Sequence, residues 1–145
     1  MPGLDRFLEA QRDIYDRAHD EIVAGAKRSH WMWFIFPQIA GLGHSSTARF
    51  YALSGLAEAQ DYLAHPILGL RLAQCTDAML TWAGKRSAEA ILGEIDALKF
   101  RSSMTLFEAA APSDEEGGHY ADALAAFYRG QRDPRTLDLL KSGGA

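Results

Sequence analysis

The chain has 145 residues, 48% of them hydrophobic, and a formal charge of -4 at pH 7. That is enough apolar material for one domain with a buried core, and the acidic balance argues against a general nucleic-acid binder, whose footprint is net basic. A single cysteine, Cys75, excludes an internal disulfide and a cysteine metal cluster; with an N-terminal segment that turns charged at once and no apolar run of transmembrane length, the expectation is a cytoplasmic protein without membrane association.

Helical periodicity runs along most of the chain. Leu4, Phe7, Leu8, Gln11, Ile14, Tyr15, Ala18 and Ile22 fall on one face, with Asp5, Glu9, Asp13, Asp16 and Asp20 opposite, and predict one long first helix ended by Gly25. Ser29 is placed to cap a short helix through Trp31-Met32-Trp33-Phe34-Ile35-Phe36, and Pro37 ends it because a proline drives the preceding residue out of the helical region. Phe34-Ile35-Phe36 as a short extended piece is the alternative. Further helices are expected from Ser45 or Ser46, after Ser54 to about Ala64, and from Pro66 to Gly84 with the stripe Leu68, Leu72, Cys75, Met79 and Trp82.

Ser87 and Gly93 bound another short helix, and Asp96, or else Ser102 or Ser103, caps the next, which carries Phe100, Met104, Phe107 and Ala111. Pro112 opens an acidic loop, Ser113 to Gly118. A helix follows that turns Tyr120, Leu124 and Phe127 inward, and Asp133-Pro134 starts the last one. The expected fold is all-α: a compact orthogonal bundle of about seven helices, several of them short, in a single domain over residues 2–141 with a frayed tail at 142–145.

The stretch from Ile22 to Ala57 has no acidic side chain, while Lys27, Arg28 and Arg49 make it basic; Lys99 and Arg101 form a second, smaller basic island. Trp31 and Trp33 are two apart on a helix and point about 200° from each other, so one belongs in the core and the other is available to stack. Gly41, Gly43, Ser45 and Ser46 read as a glycine-hinged loop entering a helix N-terminus, where free amides and hydroxyls suit an anion; a plain turn and cap is the other reading. The loop is neither a Walker loop nor a dinucleotide fingerprint.

His30, ahead of the aromatic run, and His44, within this loop, are candidate proton-transfer groups. With no acidic neighbour in sequence they make a poor metal site, and neither a metal nor a cofactor is expected. Gln38 is expected as a polar contact at the mouth of a cleft, and Arg49 as an anion clamp. Lys99, Arg101, Ser102 and Ser103 supply two cations and two hydroxyls, with Arg101 suited to a bidentate phosphate or carboxylate contact. Cys75 lies on a buried stripe and is not expected to be a nucleophile.

The run Arg28-Ser29-His30-Trp31-Met32-Trp33-Phe34-Ile35-Phe36-Pro37-Gln38 with Gly41-Leu42-Gly43, and the run Leu98-Lys99-Phe100-Arg101-Ser102-Ser103-Met104-Thr105-Leu106-Phe107, resemble the signature of a bacterial domain-of-unknown-function family numbered 1810. That family includes an uncharacterised, mostly helical mycobacterial protein. The resemblance extends through Tyr62-Leu63-Ala64-His65-Pro66 to Asp133-Pro134; it implies a compact helical domain and no activity. The Lys99-Phe100 segment with the preceding aromatic helix is similar, more remotely, to domains that process ADP-ribose adducts.

The leading reading of the residues is binding, extending to enzymatic processing, of a small anionic, phosphate-bearing, nucleotide-like ligand between Ser29–Arg49 and Lys99–Thr105. It requires these distant segments to pack against each other. The alternative is a non-enzymatic protein-interaction module in which the Trp/Phe knot is hydrophobic core. The sequence leaves the oligomeric state open.

Overall fold

Residues 3–143 are described by a computed structural model, and among them ten helices follow one another without a strand. The fold is all-α, with ten helices rather than about seven. They are α1 (Asp5–Gln11), α2 (Tyr15–Val23), α3 (Met32–Ile35), α4 (Ser46–Tyr51), α5 (Leu56–Ala64), α6 (Leu68–Leu80), α7 (Ala88–Leu92), α8 (Glu94–Ala110), α9 (Asp114–Tyr128) and α10 (Pro134–Gly143). Of the tail expected from Ser142, Ser142 and Gly143 belong to α10, and Gly144 and Ala145 lie outside the described residues. No helix among the described residues is long and apolar enough to cross a membrane.

The centre of the molecule is α8, which packs against α5, α7, α9 and α10, while α6 lies on α2, α5 and α9. Every residue from Ser102 to Phe107 is buried, so this helix is enclosed on all sides and its small hydroxyl residues let neighbours come close. Ser102 Oγ and Thr105 Oγ1 donate back to the carbonyls of Leu98 and Arg101, which satisfies hydroxyls inside a packed helix. Around α8 the aromatic core closes: Phe36 meets Phe100 edge to face at 4.8 Å, Tyr62 meets Phe107 at 5.3 Å, and Phe7 meets Tyr62 at 5.1 Å. Burying each such ring stabilises the fold by roughly 1.5–3 kcal/mol before entropy is counted.

Several boundaries depart from the periodicity. The predicted first helix is two helices, parted by a turn at residues 12–14. Gln11 is buried at that break, donating through Nε2 to the Phe34 carbonyl at 2.7 Å and to the Tyr62 hydroxyl at 3.2 Å. Tertiary hydrogen bonds to a buried amide outweigh the few tenths of a kcal/mol per residue that local propensity supplies. Ser29 does not cap α3; its hydroxyl donates to Glu21 Oε2 at 2.7 Å, and Phe34 and Ile35 are helical rather than extended. α6 starts at Leu68, not Pro66, because His65 Nδ1 accepts from the amides of Ile67 and Leu68; Trp82 falls in the turn beyond it.

α8 starts behind Gly93, whose φ of 90° only glycine adopts readily, and Asp96 lies in its first turn instead of capping it. Ser102 and Ser103 are mid-helix. The acidic segment expected as a loop is the first turn of α9: Ser113 Oγ accepts from the Glu116 amide at 3.2 Å, and Asp114, Glu115 and Glu116 sit where the helix dipole favours negative charge. The signal was present in the sequence as Ser113-x-x-Glu116, the pattern of a capping box.

Candidate functional site

The two basic segments do lie against each other. Phe36 packs on Phe100, the Lys27 amide donates to the Ile91 carbonyl at 2.8 Å, and Lys99 Nζ lies 5.2 Å from the centre of the Trp33 ring. Asp96 stands between the islands, 2.9 Å from Lys27 Nζ and 3.6 Å from Lys99 Nζ. The basic segment is therefore partly neutralised by a carboxylate that arrives from α8. A second carboxylate organises its start: Glu21 accepts from the amides of Arg28 (2.8 Å) and Ser29 (3.0 Å), from Ser29 Oγ and from Trp31 Nε1 at 2.9 Å. Burial alone would push the Glu21 carboxyl up, but these hydrogen bonds outweigh it and hold the group at about 2.

Where the segments meet, a cleft of about 310 Å³ opens between the loop after α3, the outer face of early α8 and the start of α10. Gln38, Leu42 and Gly43 form one wall. Ile95, Leu98, Lys99, Arg101 and Ser102 form the second, and Asp133 and Arg135 close the third. The first wall is held by backbone pairing, since the Leu53 amide donates to the Gln38 carbonyl at 2.9 Å and the Ala40 amide to the Leu53 carbonyl at 2.8 Å. These bonds surround the isolated parallel bridge of Ile39 with Leu53 and pin both ends of the loop that carries α4. Gly41 crosses the top at φ 106°, and a Cβ on Gly43 would stand 2.5 Å from the Ala48 Cβ. Gly43→Ala should therefore destabilise the fold by about 1–3 kcal/mol through overpacking and displace Leu42 from the cleft; chemical denaturation beside the parent protein checks it, and an unchanged midpoint would refute it.

Arg101 is the most firmly placed cation. Its Nε donates to the Gln131 carbonyl and its Nη2 to the Arg132 carbonyl, both at 2.8 Å, leaving Nη1 without a hydrogen bond among the described residues. Arg132 holds the same linker to α8 by pairing with Glu108, and Tyr128 donates to the Ala97 carbonyl. Asp133 caps α10: its Oδ2 accepts from the Thr136 amide (3.0 Å), Thr136 Oγ1 (2.6 Å) and Ser102 Oγ (3.2 Å), while its own amide donates to Thr105 Oγ1. Arg135 is exposed and forms no ion pair among the described residues.

Of the residues singled out in the sequence, Gln38, Gly43, Lys99, Arg101 and Ser102 come together in this cleft. Trp31 is wholly buried and belongs to the core; Trp33 is partly exposed and lines a small adjoining hollow with Gln38, Gly43 and Ala48. Pro37 follows the end of α3, so Gln38 reaches the cleft from a loop as expected. His30, Gly41, His44, Ser45, Ser46 and Arg49 are exposed outside the cleft lining, Ser45 serving as the cap of α4 through the Ala48 amide at 3.1 Å. Ser103 is buried, and its hydroxyl has no hydrogen-bond partner among the described residues. α4 spans only Ser46–Tyr51, and none of its residues lines the cleft.

Asp133 and Arg135 were not legible as site residues: Asp133-Pro134 announced a helix start, but nothing local told that it would face Ser102. Cys75 is buried, and burial pushes its thiol up to about 12, which leaves no thiolate for nucleophilic chemistry near neutral pH. Among the described residues no group of three or more His, Cys, Asp or Glu is placed to hold a metal ion.

A search of the curated proteins returned no match. Among solved structures, the crystal structure of the conserved hypothetical protein Rv1873 from Mycobacterium tuberculosis is similar, with 46% sequence identity, a TM-score of 0.90, and coverage of 95% of this chain and 96% of that one. Residues 2–140 match the family described as "Protein of unknown function (DUF1810)", and the chain belongs to that family.

Proposed function

We propose that this protein binds a small anionic, phosphate-bearing ligand in the cleft between the Gln38–Gly43 loop and the Lys99–Ser102 turn of α8, under the reducing, cytoplasmic conditions that a lone buried thiol fits. The observation that carries the reading is Arg101, a guanidinium aimed by two backbone carbonyls, with an unpartnered Nη1, in a cleft it shares with Arg135. Preorganised guanidinium groups suit phosphate oxygens because the fork is fixed before binding. Lys99 adds charge, reduced by Asp96. The volume of about 310 Å³ lies at the lower end of small-molecule sites, enough for a sugar phosphate or mononucleotide. No imidazole lines the cleft, so the reading is one of binding, with no proton-transfer step assigned to His30 or His44.

Arg135→Ala is the clean test, because that side chain is exposed and unpaired and its loss should change stability by less than about 0.5 kcal/mol. Affinity for pyrophosphate or AMP at low salt should fall by roughly fivefold to twentyfold, and the difference should shrink as salt is added. Thermal shift followed by titration calorimetry gives both numbers. If phosphate, pyrophosphate and AMP at millimolar concentration leave the unmutated protein's melting temperature unchanged, the reading is wrong.

The interaction-module alternative is favoured by a different observation: Ile95 and Leu98, one turn apart at the cleft's edge, are 73% and 64% exposed. On that reading Ile95→Ser with Leu98→Ser abolishes binding of a protein partner and leaves anion titrations flat in every variant.

A further inference from the structure

Resting on the anion-binding reading, we infer that Asp133 makes the cleft selective for phosphate esters that carry a hydroxyl group, such as sugar phosphates, over phosphates that carry none. A carboxylate is an unexpected lining for an anion site, since it repels the ligand that Arg101 and Arg135 attract. Asp133 cannot turn away, because it is tied down as the cap of α10: the Thr136 amide and Thr136 Oγ1 donate to it, and Ser102 Oγ shares its one proton between it and the Leu98 carbonyl.

All three of those bonds fall on Oδ2. Oδ1 has no hydrogen bond among the described residues, and the carboxylate joins no ion pair there, although Arg101 and Arg135 line the same cleft. A free carboxylate oxygen accepts and never donates, so it rewards a ligand donor and penalises a ligand oxyanion. A hydroxyl set beside the phosphate converts the repulsion into a charge-assisted hydrogen bond.

The other walls agree with this choice. Leu42 and Leu98 offer an apolar surface that accepts the C–H face of a sugar, and Gln38 offers an amide that both donates and accepts. Anion and hydroxyl are thus recognised by different residues: Arg101 and Arg135 for the phosphate, Asp133 for the hydroxyl.

Glycerol 3-phosphate and propyl phosphate differ only in hydroxyl groups, and titrating both into the unmutated protein tests the inference directly. Glycerol 3-phosphate should bind roughly tenfold more tightly. Asp133→Asn keeps an amide oxygen to cap α10 and removes the charge; it should bind propyl phosphate more tightly than the parent does and bring the two ligands within about threefold of each other. Equal affinity of the parent for the two ligands overturns the inference while leaving the anion site standing. No binding of either ligand, with Arg135→Ala indistinguishable from the parent, overturns the site and the inference together. Equal affinity in the unmutated protein overturns the inference even if the asparagine variant does not fold, and Gln38→Leu, which should keep the preference for glycerol 3-phosphate, separates Asp133 from the other polar wall.

Discussion

Arg6→Met should cost the fold about 3–5 kcal/mol, the largest loss expected from a single side chain away from the aromatic core. Arg6 lies in the first turn of α1, yet its side chain is only 5% exposed. Its Nη1 donates to the Gly3 carbonyl at 2.7 Å, its Nε to the Phe50 carbonyl at 2.8 Å, and its Nη2 to the Ala52 carbonyl at 2.9 Å and to Glu58 Oε1 at 3.3 Å. The carbonyls of Phe50 and Ala52 lie at the end of α4, where no further helical turn donates to them, and the guanidinium fork supplies the missing donors. Methionine matches much of the volume and none of the hydrogen bonds, which takes the guanidinium donors from the Phe50 and Ala52 carbonyls and leaves Glu58 with the Ser54 amide but no counter-charge. Arg6→Lys keeps the charge but cannot span the acceptors, and should recover less than half of the loss. Urea denaturation measures both; a loss under about 1 kcal/mol for the methionine variant would show that water replaces the guanidinium without penalty.

Glu21→Ala should cost about 2–4 kcal/mol, because one carboxylate satisfies two amides, a hydroxyl and the indole of a wholly buried tryptophan. The effect carries a pH signature. With the folded-state carboxyl held at about 2 against an ordinary value of 4.5, the folded state binds its proton later than the unfolded state does. The stability that this group contributes is complete above about pH 4.5 and is lost as the pH falls through that window toward 2. Glu21→Gln removes the charge and keeps an acceptor, so the stability gap between parent and variant should be widest near pH 6 and should narrow by about pH 3.5. A gap that stays constant over this range would mean that Glu21 acts as a neutral spacer. Near pH 6 the same variant should leave phosphate binding within about twofold, since Glu21 acts on the Arg28–Trp31 turn and lies outside the cleft.

The linear pattern determined the helical character of the chain because a stripe repeating every three to four residues buries the same face whatever it meets. It also determined the caps at Ser87 and Asp133 and the stop at Pro37, and narrowed the start of α4 to Ser45 or Ser46, since these depend on hydroxyl, carboxylate and ring geometry within a turn. Charge patterning pointed to two distant segments that do lie against each other, and family resemblance covered nearly the whole length. Only the tertiary structure decided which cations remain available. Lys27 and Lys99 are met by Asp96 from α8, Arg101 is aimed by carbonyls some thirty residues downstream, and Asp133 and Arg135 enter the cleft from the last helix. His44 and Arg49 looked central because they are near the glycines in sequence, but the loop between the pinned ends at 38 and 53 carries them outside the cleft lining, and His30, ahead of α3, is exposed outside it as well. A helix cap is settled by neighbours within four residues, whereas a site assembled from three separate segments is settled by which faces the core draws together. That is why the elements were legible one at a time and their meeting place was not.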